Sequence, residues 1–259
     1  MPLRRVVRLC RLGRVPFEEA LRIQRETASR MMRRSCPTEV SSSRAVVGRP
    51  EIGVHGVLYL VEHPPVYTLG RGDRLLRRRL SSSSSDVEGG VNVSSPPSSS
   101  SSSSVPIVFA GRGGKTTYHG PGQIVMYPIL DLRAFERDVR WYVRSVEEVG
   151  IRTLSEYGIE GSRHADHPGV WSGRKKLAAL GIGVSKWITT HGMALNVCND
   201  LDPFRRIVPC GIDEDATGLG VGSISEESGR AVGMREAEVR LCRNFERVFD
   251  CSLLGDGGC

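Results

Sequence analysis

No stretch of this 259-residue chain approaches the eighteen or so consecutive apolar residues that a membrane-crossing helix needs. There is also no secretory leader pattern. Seven cysteines (Cys10, Cys36, Cys198, Cys210, Cys242, Cys251 and Cys259) form no CxxC pair and no even framework, which points to a reducing compartment with at most one or two thiols in chemistry. A basic surface spread along the chain is missing too. Residues 1–35 hold ten arginines against three glutamates and so carry the whole net charge of +7; the remainder is formally neutral. A nucleic-acid binder spreads its cations over the folded surface with aromatics between them, and this chain does not. The expectation is a protein that engages neither nucleic acid nor a membrane. The Arg-rich start reads as organelle targeting, as docking to an acidic partner, or as a solvated helix face.

A further absence decides the reading of residues 109–123, FAGRGGKTTYHGPGQ. A phosphate-cradling P-loop needs a glycine five positions before the one that precedes Lys-Thr, and that position is Phe109. Gly120-Pro121-Gly122 then breaks the helix that such a loop must feed. Nucleotide triphosphate binding is set aside. What is left is a glycine-rich surface that allows close approach and carries cations, hydroxyls and a histidine.

Residues 81–104 contain 14 serines in 24 positions and cannot bury enough apolar surface to order themselves, so a disordered insert is expected there. No other linker is apparent, and the chain reads as one domain over 1–259. A strand from Val6 to Val15 is followed by a helix opened by Pro16. Strands are expected at 56–62, 105–110, 123–132 and 187–197, with a hairpin from 167–171 and 176–184. Residues 66–72 read as a turn and 218–223 as a loop. Residues 138–157 carry a helical pattern with a break near Gly150, and 234–249 a closing helix. Central strands with helices inserted and at the ends give a mixed α/β sheet.

Three stretches lack a plain structural reason: the 109–123 motif, Lys175-Lys176-Leu-Ala-Ala-Leu-Gly181, and His191-Gly-Met-Ala-Leu-Asn196 running on to Pro209-Cys210-Gly211. A cysteine between proline and glycine sits on irregular backbone, where a thiol can be presented at a pocket floor; an inert core cysteine is the plainer alternative. A free thiol is only a few per cent thiolate at pH 7, so a nucleophile needs a cation nearby. An ammonium about 4 Å away supplies about 4 kcal/mol at an effective dielectric near 20.

Together these stretches closely resemble the lipoyl(octanoyl) transferases, the octanoyl-(acyl-carrier-protein):protein octanoyltransferases. The resemblance runs from VRLCRLGRVPFEEALRIQ through EHPPVYTLGRG, the VPIVFAGRGGKTTYHGPGQIVMYPILDLR segment, HPGVWSGRKKLAALGIGV and HGMALNVCNDLDPFRRIVPCGI, leaving out the serine insert and the last dozen residues. It implies a biotin/lipoate protein ligase-like fold, a mixed sheet flanked by helices. Cys210 matches the nucleophile that takes octanoyl as a thioester, and Lys176 the lysine that tunes it, while Lys175 faces the opposite way on a strand. Arg112, Gly113, Gly114, Lys115, Thr116, Thr117, Tyr118 and His119, with Ala179, Leu180, Gly181, Gly192, Met193 and Ala194, match stretches lining the acyl and substrate channel. The implied donor is octanoyl-acyl carrier protein. The implied acceptors are lipoyl domains of 2-oxoacid dehydrogenase complexes and the glycine cleavage H protein. No cofactor is implied, and a monomer is expected. The serine insert and Arg-rich start suggest mitochondria, with plastid or cytoplasm as alternatives.

Other readings stay beside this one. An ATP-dependent lipoate or octanoate ligase on the same fold would not need the Pro-Cys-Gly thiol, and a non-catalytic binder of acyl carrier protein would form no covalent adduct. His119, His191 and Cys210 lack the short spacing of a zinc site, which favours pocket-lining roles over metal. His63, beside two prolines, reads as a turn residue near the pocket, and Cys198 as a packed strand residue.

Overall fold

The computed structural model describes residues 5–34, 53–73, 105–211 and 214–255. The expected serine-rich insert at 81–104 lies outside them. In chain order the elements are β1 (Arg5–Arg14), α1 (Phe17–Arg34), β2 (Val54–Glu62), β3 (Val66–Leu69), β4 (Ile107–Phe109), β5 (Thr117–His119), β6 (Gln123–Leu130), α2 (Val139–Ser155), β7 (Gly169–Ser172), β8 (Lys175–Ser185), β9 (Ile188–Asn196), α3 (Glu214–Thr217), β10 (Gly220–Val221), α4 (Ile224–Ser228), α5 (Met234–Phe249) and β11 (Cys251–Leu254).

The large sheet has the order β10-β8-β9-β6-β2-β1-β11, with β7 paired to β8 outside that path. It is mixed: β1 runs parallel to β2 and β11, whereas β2, β6, β9 and β8 alternate antiparallel. Alternation along β2 explains the layering. Leu58 and Leu60 join the core formed with Tyr142, Val146, Leu241 and Phe245 of α2 and α5. Tyr59 and Val61 face the opposite way, into a cluster with Ala20 and Ala28 of α1. Helices thus cover both faces, and β6 is buried at all eight positions, the continuous apolar pattern such a strand requires. On α1 the outer side carries exposed Arg22, Arg25, Arg30 and Arg33. A small second sheet, β4-β3-β5, is built around the 109–123 motif.

The mixed sheet flanked by helices agrees with the expected fold class, and β1, α1, β6, β9 and α5 fall where the pattern places them. Three elements differ. The helix at 138–157 does not break at Gly150; α2 runs through it from Val139 to Ser155. A Cβ at Gly150 would lie 2.6 Å from Val170 Cγ2 and 3.1 Å from Met193 Sδ, so the glycine lets the helix settle onto the sheet. Residues 66–69 form strand β3, fully buried, where a turn was expected. Within the expected loop at 218–223, Gly220 and Val221 add a short parallel edge beside Lys175 and Lys176.

Candidate active site

Cys210 sits at the centre of a short 3-10 turn, Pro209–Gly211, in left-handed backbone (φ 56°, ψ 18°). A non-glycine residue there is uncommon and marks a locally imposed conformation. The tether is visible: the Cys210 N–H donates to the Thr116 carbonyl at 2.7 Å, which pins the turn to the glycine-rich motif. The cysteine is half-buried.

Three hollows meet at this residue. A narrow cavity is walled by Phe17, Val125, Tyr127, Met193 and Ala194, with Thr117, His119, Ala179, His191 and Gly192. A wider, open groove runs past Gly113, Gly114, Lys115, His167, Lys176 and Ile182. A third, small space lies among Lys176, Gln123, Asn196, Phe204 and Val221. Cys210 lines all three, and Lys176 shares two of them with it. Arg112, Leu180 and Gly181 join Cys210 as walls common to cavity and groove, which makes these four the neck between them.

Lys176 and Lys175 diverge as strand parity requires. Lys175 is exposed and ion-pairs with Glu226 (2.8 Å) and Glu227 (3.3 Å). Lys176 is 5% exposed, its Nζ stands 5.6 Å from the Trp171 ring centroid, and among the described residues it pairs with no carboxylate. A buried cation without an anion is costly, and it seeks one in whatever occupies the pocket.

Arg112 is held by four hydrogen bonds. Nη1 donates to the carbonyls of Gly113 (3.1 Å) and Lys115 (2.8 Å), and Nη2 to the Thr68 carbonyl and hydroxyl, both at 2.7 Å. The Thr68 hydroxyl accepts from Arg112, which can only donate, and shares a further hydrogen bond with His119 Nε2 (3.2 Å). His119 Nδ1 then donates to Gln123 Oε1 (2.7 Å), Gln123 Nε2 to Asn196 Oδ1 (2.8 Å), and Asn196 Nδ2 to the Gly222 carbonyl (2.9 Å). Since the Gln123 amide oxygen only accepts, Nδ1 carries the proton, and in the neutral ring Nε2 is left to accept from the Thr68 hydroxyl. Burial, with His63 and Arg112 nearby, also pushes its pKa well below the usual histidine value. Both ring nitrogens are engaged, so His119 offers no free lone pair to a metal.

Two more histidines border the cavity. His63 is fully buried, donating from Nδ1 to the Val15 carbonyl (2.8 Å) and accepting the Tyr127 hydroxyl at Nε2 (2.9 Å). It is thus an interior residue beside Phe17, at 5.4 Å between rings, and not only a turn residue. His191 adopts φ +59°, its N–H donates to Gln24 Oε1 (2.8 Å), and its Nδ1 has no partner among the described residues. Burial first, then Arg112, Arg25 and Arg71, lowers its pKa to about 4.

Most residues singled out in the sequence gather here; two do not face the hollows. On β5 the alternation that turns Thr117 and His119 inward turns Tyr118 outward, where it packs against Tyr67 and Phe204. The Thr116 hydroxyl donates to Asp73 (2.9 Å), and only its carbonyl serves the site. Cys198 is exposed beyond the end of β9, not packed on a strand. The residues missed were Phe17, Thr68, Gln123, Tyr127 and Asn196, which reach the site only through tertiary pairing. Gln123 closes the 109–123 motif, but nothing in the run marked its side chain.

Residues 47–246 match the family described as the lipoyl protein ligase A/B catalytic domain. Relatives named octanoyltransferase include one from Solibacter usitatus, 37% identical over 95% of this chain and 94% of its own. Another, from Gloeobacter violaceus, is 43% identical over 74% of this chain and 75% of its own. Among solved structures, a lipoate-protein ligase A bound with ATP aligns with a TM-score of 0.60 at 13% identity, over 98% of this chain and 89% of that one. A bipartite lipoate protein ligase from Thermoplasma acidophilum gives 0.60 at 15%, over 97% and 86%. At such identities these structures share the fold with this chain.

Proposed function

The chain belongs to the octanoyltransferase family, and on that premise we propose that it moves an octanoyl group from acyl carrier protein to a lysine of a lipoyl domain through a thioester on Cys210. The observation that carries this reading is the position of Cys210: at the neck between a narrow, largely apolar cavity and an open groove, which it shares with a buried lysine that pairs with no carboxylate among the described residues. The cavity is narrow and largely apolar, the shape that an extended alkyl chain fills, and the wider groove suits the carrier arm or the acceptor side chain.

In the first half-reaction the Cys210 sulfur gives up its proton and attacks the donor thioester carbonyl, with the Lys176 ammonium, which lines two of the same hollows, balancing the negative charge. The tetrahedral intermediate collapses by breaking the bond to the carrier sulfur, which leaves as a thiol once protonated. In the second half the neutral amine of the acceptor lysine attacks the Cys210 thioester, loses a proton, and expels the Cys210 thiolate. The alkyl chain in the cavity excludes water from the neck and protects the intermediate from hydrolysis. The exposed arginines of α1 suit acidic carrier and lipoyl domains as partners, by steering their approach.

The test uses octanoyl-carrier protein without ATP. Intact-protein mass spectrometry is expected to show one octanoyl group, mapped to Cys210, which disappears on addition of an apo lipoyl domain. Cys210→Ala is expected to abolish both adduct and product. Full product formation by that variant, or a strict need for ATP, would end this reading.

A further inference from the structure

Arg112 presents a problem that wall lining does not solve. It is 7% exposed and forms no ion pair among the described residues. A guanidinium has five N–H donors. Four are spent on the carbonyls of Gly113, Lys115 and Thr68 and on the Thr68 hydroxyl. The fifth, on Nε, has no partner. A buried charged donor left unsatisfied is rare and calls for a ligand.

Its location says which ligand. Arg112 and Cys210 are both walls of the cavity and of the groove, so any group bonded to the Cys210 sulfur has its first atoms at the neck beside this side chain. Burial is the largest influence on the Arg112 pKa and lowers it, and Cys210 heads the charged groups that oppose that shift. Space has been cleared for the arm as well. A Cβ on Gly181 would lie only 2.4 Å from Arg112 Cδ. The guanidinium cannot swing, because the Thr68–His119–Gln123–Asn196 chain anchors its far side.

We propose that the Arg112 Nε–H donates to the carbonyl oxygen of the octanoyl thioester on Cys210 and holds the oxyanion formed in both half-reactions. This assignment rests on the octanoyl-transfer reading. When the sulfur or the lysine amine bonds to the carbonyl carbon, the C=O π pair moves onto oxygen facing Nε. It returns as the C–S bond breaks. Arg112 keeps its protons throughout. A donor fixed before the charge develops needs no reorganisation during reaction, which is why such donors are effective. Arg112 is then a catalytic residue, and Thr68 and His119 are positioning residues that act through it.

The experiment loads the native full-length chain with [1-¹³C]octanoyl from the carrier protein and records the isotope-edited infrared carbonyl band. A band shifted to lower frequency than in the same acyl-enzyme after denaturation is expected. In parallel, Arg112→Gln is expected to lower single-turnover acylation roughly 10²–10³-fold. Arg112→Lys, which keeps the charge without the fixed Nε–H, should not restore the rate, and the KM for the carrier should change far less than the rate. An adduct whose carbonyl band is unmoved by unfolding would overturn the Arg112 assignment and leave octanoyl transfer standing. Folded Arg112→Gln acylating at the native rate would do the same. Absence of any octanoyl on Cys210 would remove the transfer reading, and this assignment with it.

Discussion

Lowering the pH from 7.5 to 5 loads a specific stress onto the core beside the cavity, because three interior histidines there are held neutral. His63, His119 and His191 all have pKa values below the ordinary 6.5, burial being the largest cause in each case. In the unfolded chain each ring takes up a proton as the pH passes below about 6.5, whereas the folded chain resists. The unfolded state therefore binds more protons, so stability is complete above 6.5 and is lost as the pH falls. For His191, with a folded value of about 4, the loss between pH 7.5 and 5 is roughly 2 kcal/mol, approaching about 3 kcal/mol at pH 4. His63 and His119 add to it in the same direction. Urea unfolding at half-unit steps from pH 7.5 to 5 measures this as a falling midpoint. His191→Asn isolates one ring, since asparagine tolerates the φ of +59° that position adopts. Its stability curve is expected to be shallower than the native one by about 1.2 kcal/mol per pH unit between pH 6 and 5. Parallel native and variant curves across that interval would refute a buried neutral His191.

Other outcomes follow from single contacts. Gly150→Ala places a methyl against Val170 and Met193 and is expected to cost about 1–3 kcal/mol in urea unfolding, with α2 still helical by circular dichroism. Asp138→Ala removes the cap whose Oδ1 accepts the N–H groups of Arg140 (2.7 Å) and Trp141 (3.2 Å), at a cost of about 1 kcal/mol and with turnover unchanged. Gly181→Ala displaces the Arg112 arm and is expected to cut turnover by up to about 10²-fold while the thermal midpoint moves little. If the α1 arginines steer acidic partners, the association rate falls steeply as ionic strength rises from 0.01 to 0.15 M, and charge reversal at Arg22 and Arg25 flattens that dependence.

How far the sequence carried depended on whether a signal was local. Strand parity alone separated Lys176 from Lys175, and the structure places one inside and the other on Glu226 and Glu227. Pro209-Cys210-Gly211 announced irregular backbone before any coordinate. The apolar run after Gln123 was readable as a strand, and the structure buries all eight positions of β6. Gly150 misled because a helix-weakening residue and a close-packing residue look alike until the neighbour is known, and Val170 and Met193 come from other strands. Tyr118 sits between two inward residues and was grouped with them, since the brief β5 pairing that sets its direction depends on β3, itself read as a turn. The Thr68 hydroxyl, which joins Arg112 to His119, had no local mark at all. Such links are made by sheet register, which a linear pattern does not encode.

The bond from the Cys210 N–H to the Thr116 carbonyl ties together two segments far apart in the chain, with β6, β8 and β9 between them. Closing so long a loop costs conformational entropy before its contacts repay it, so this turn is expected to take shape only with the sheet around it. On the octanoyl-transfer reading, a newly made or partly unfolded chain would then present Cys210 without its turn or its hollows. Acyl groups would thereby be kept off immature copies, and quality control of the fold would double as control of when the chemistry is switched on.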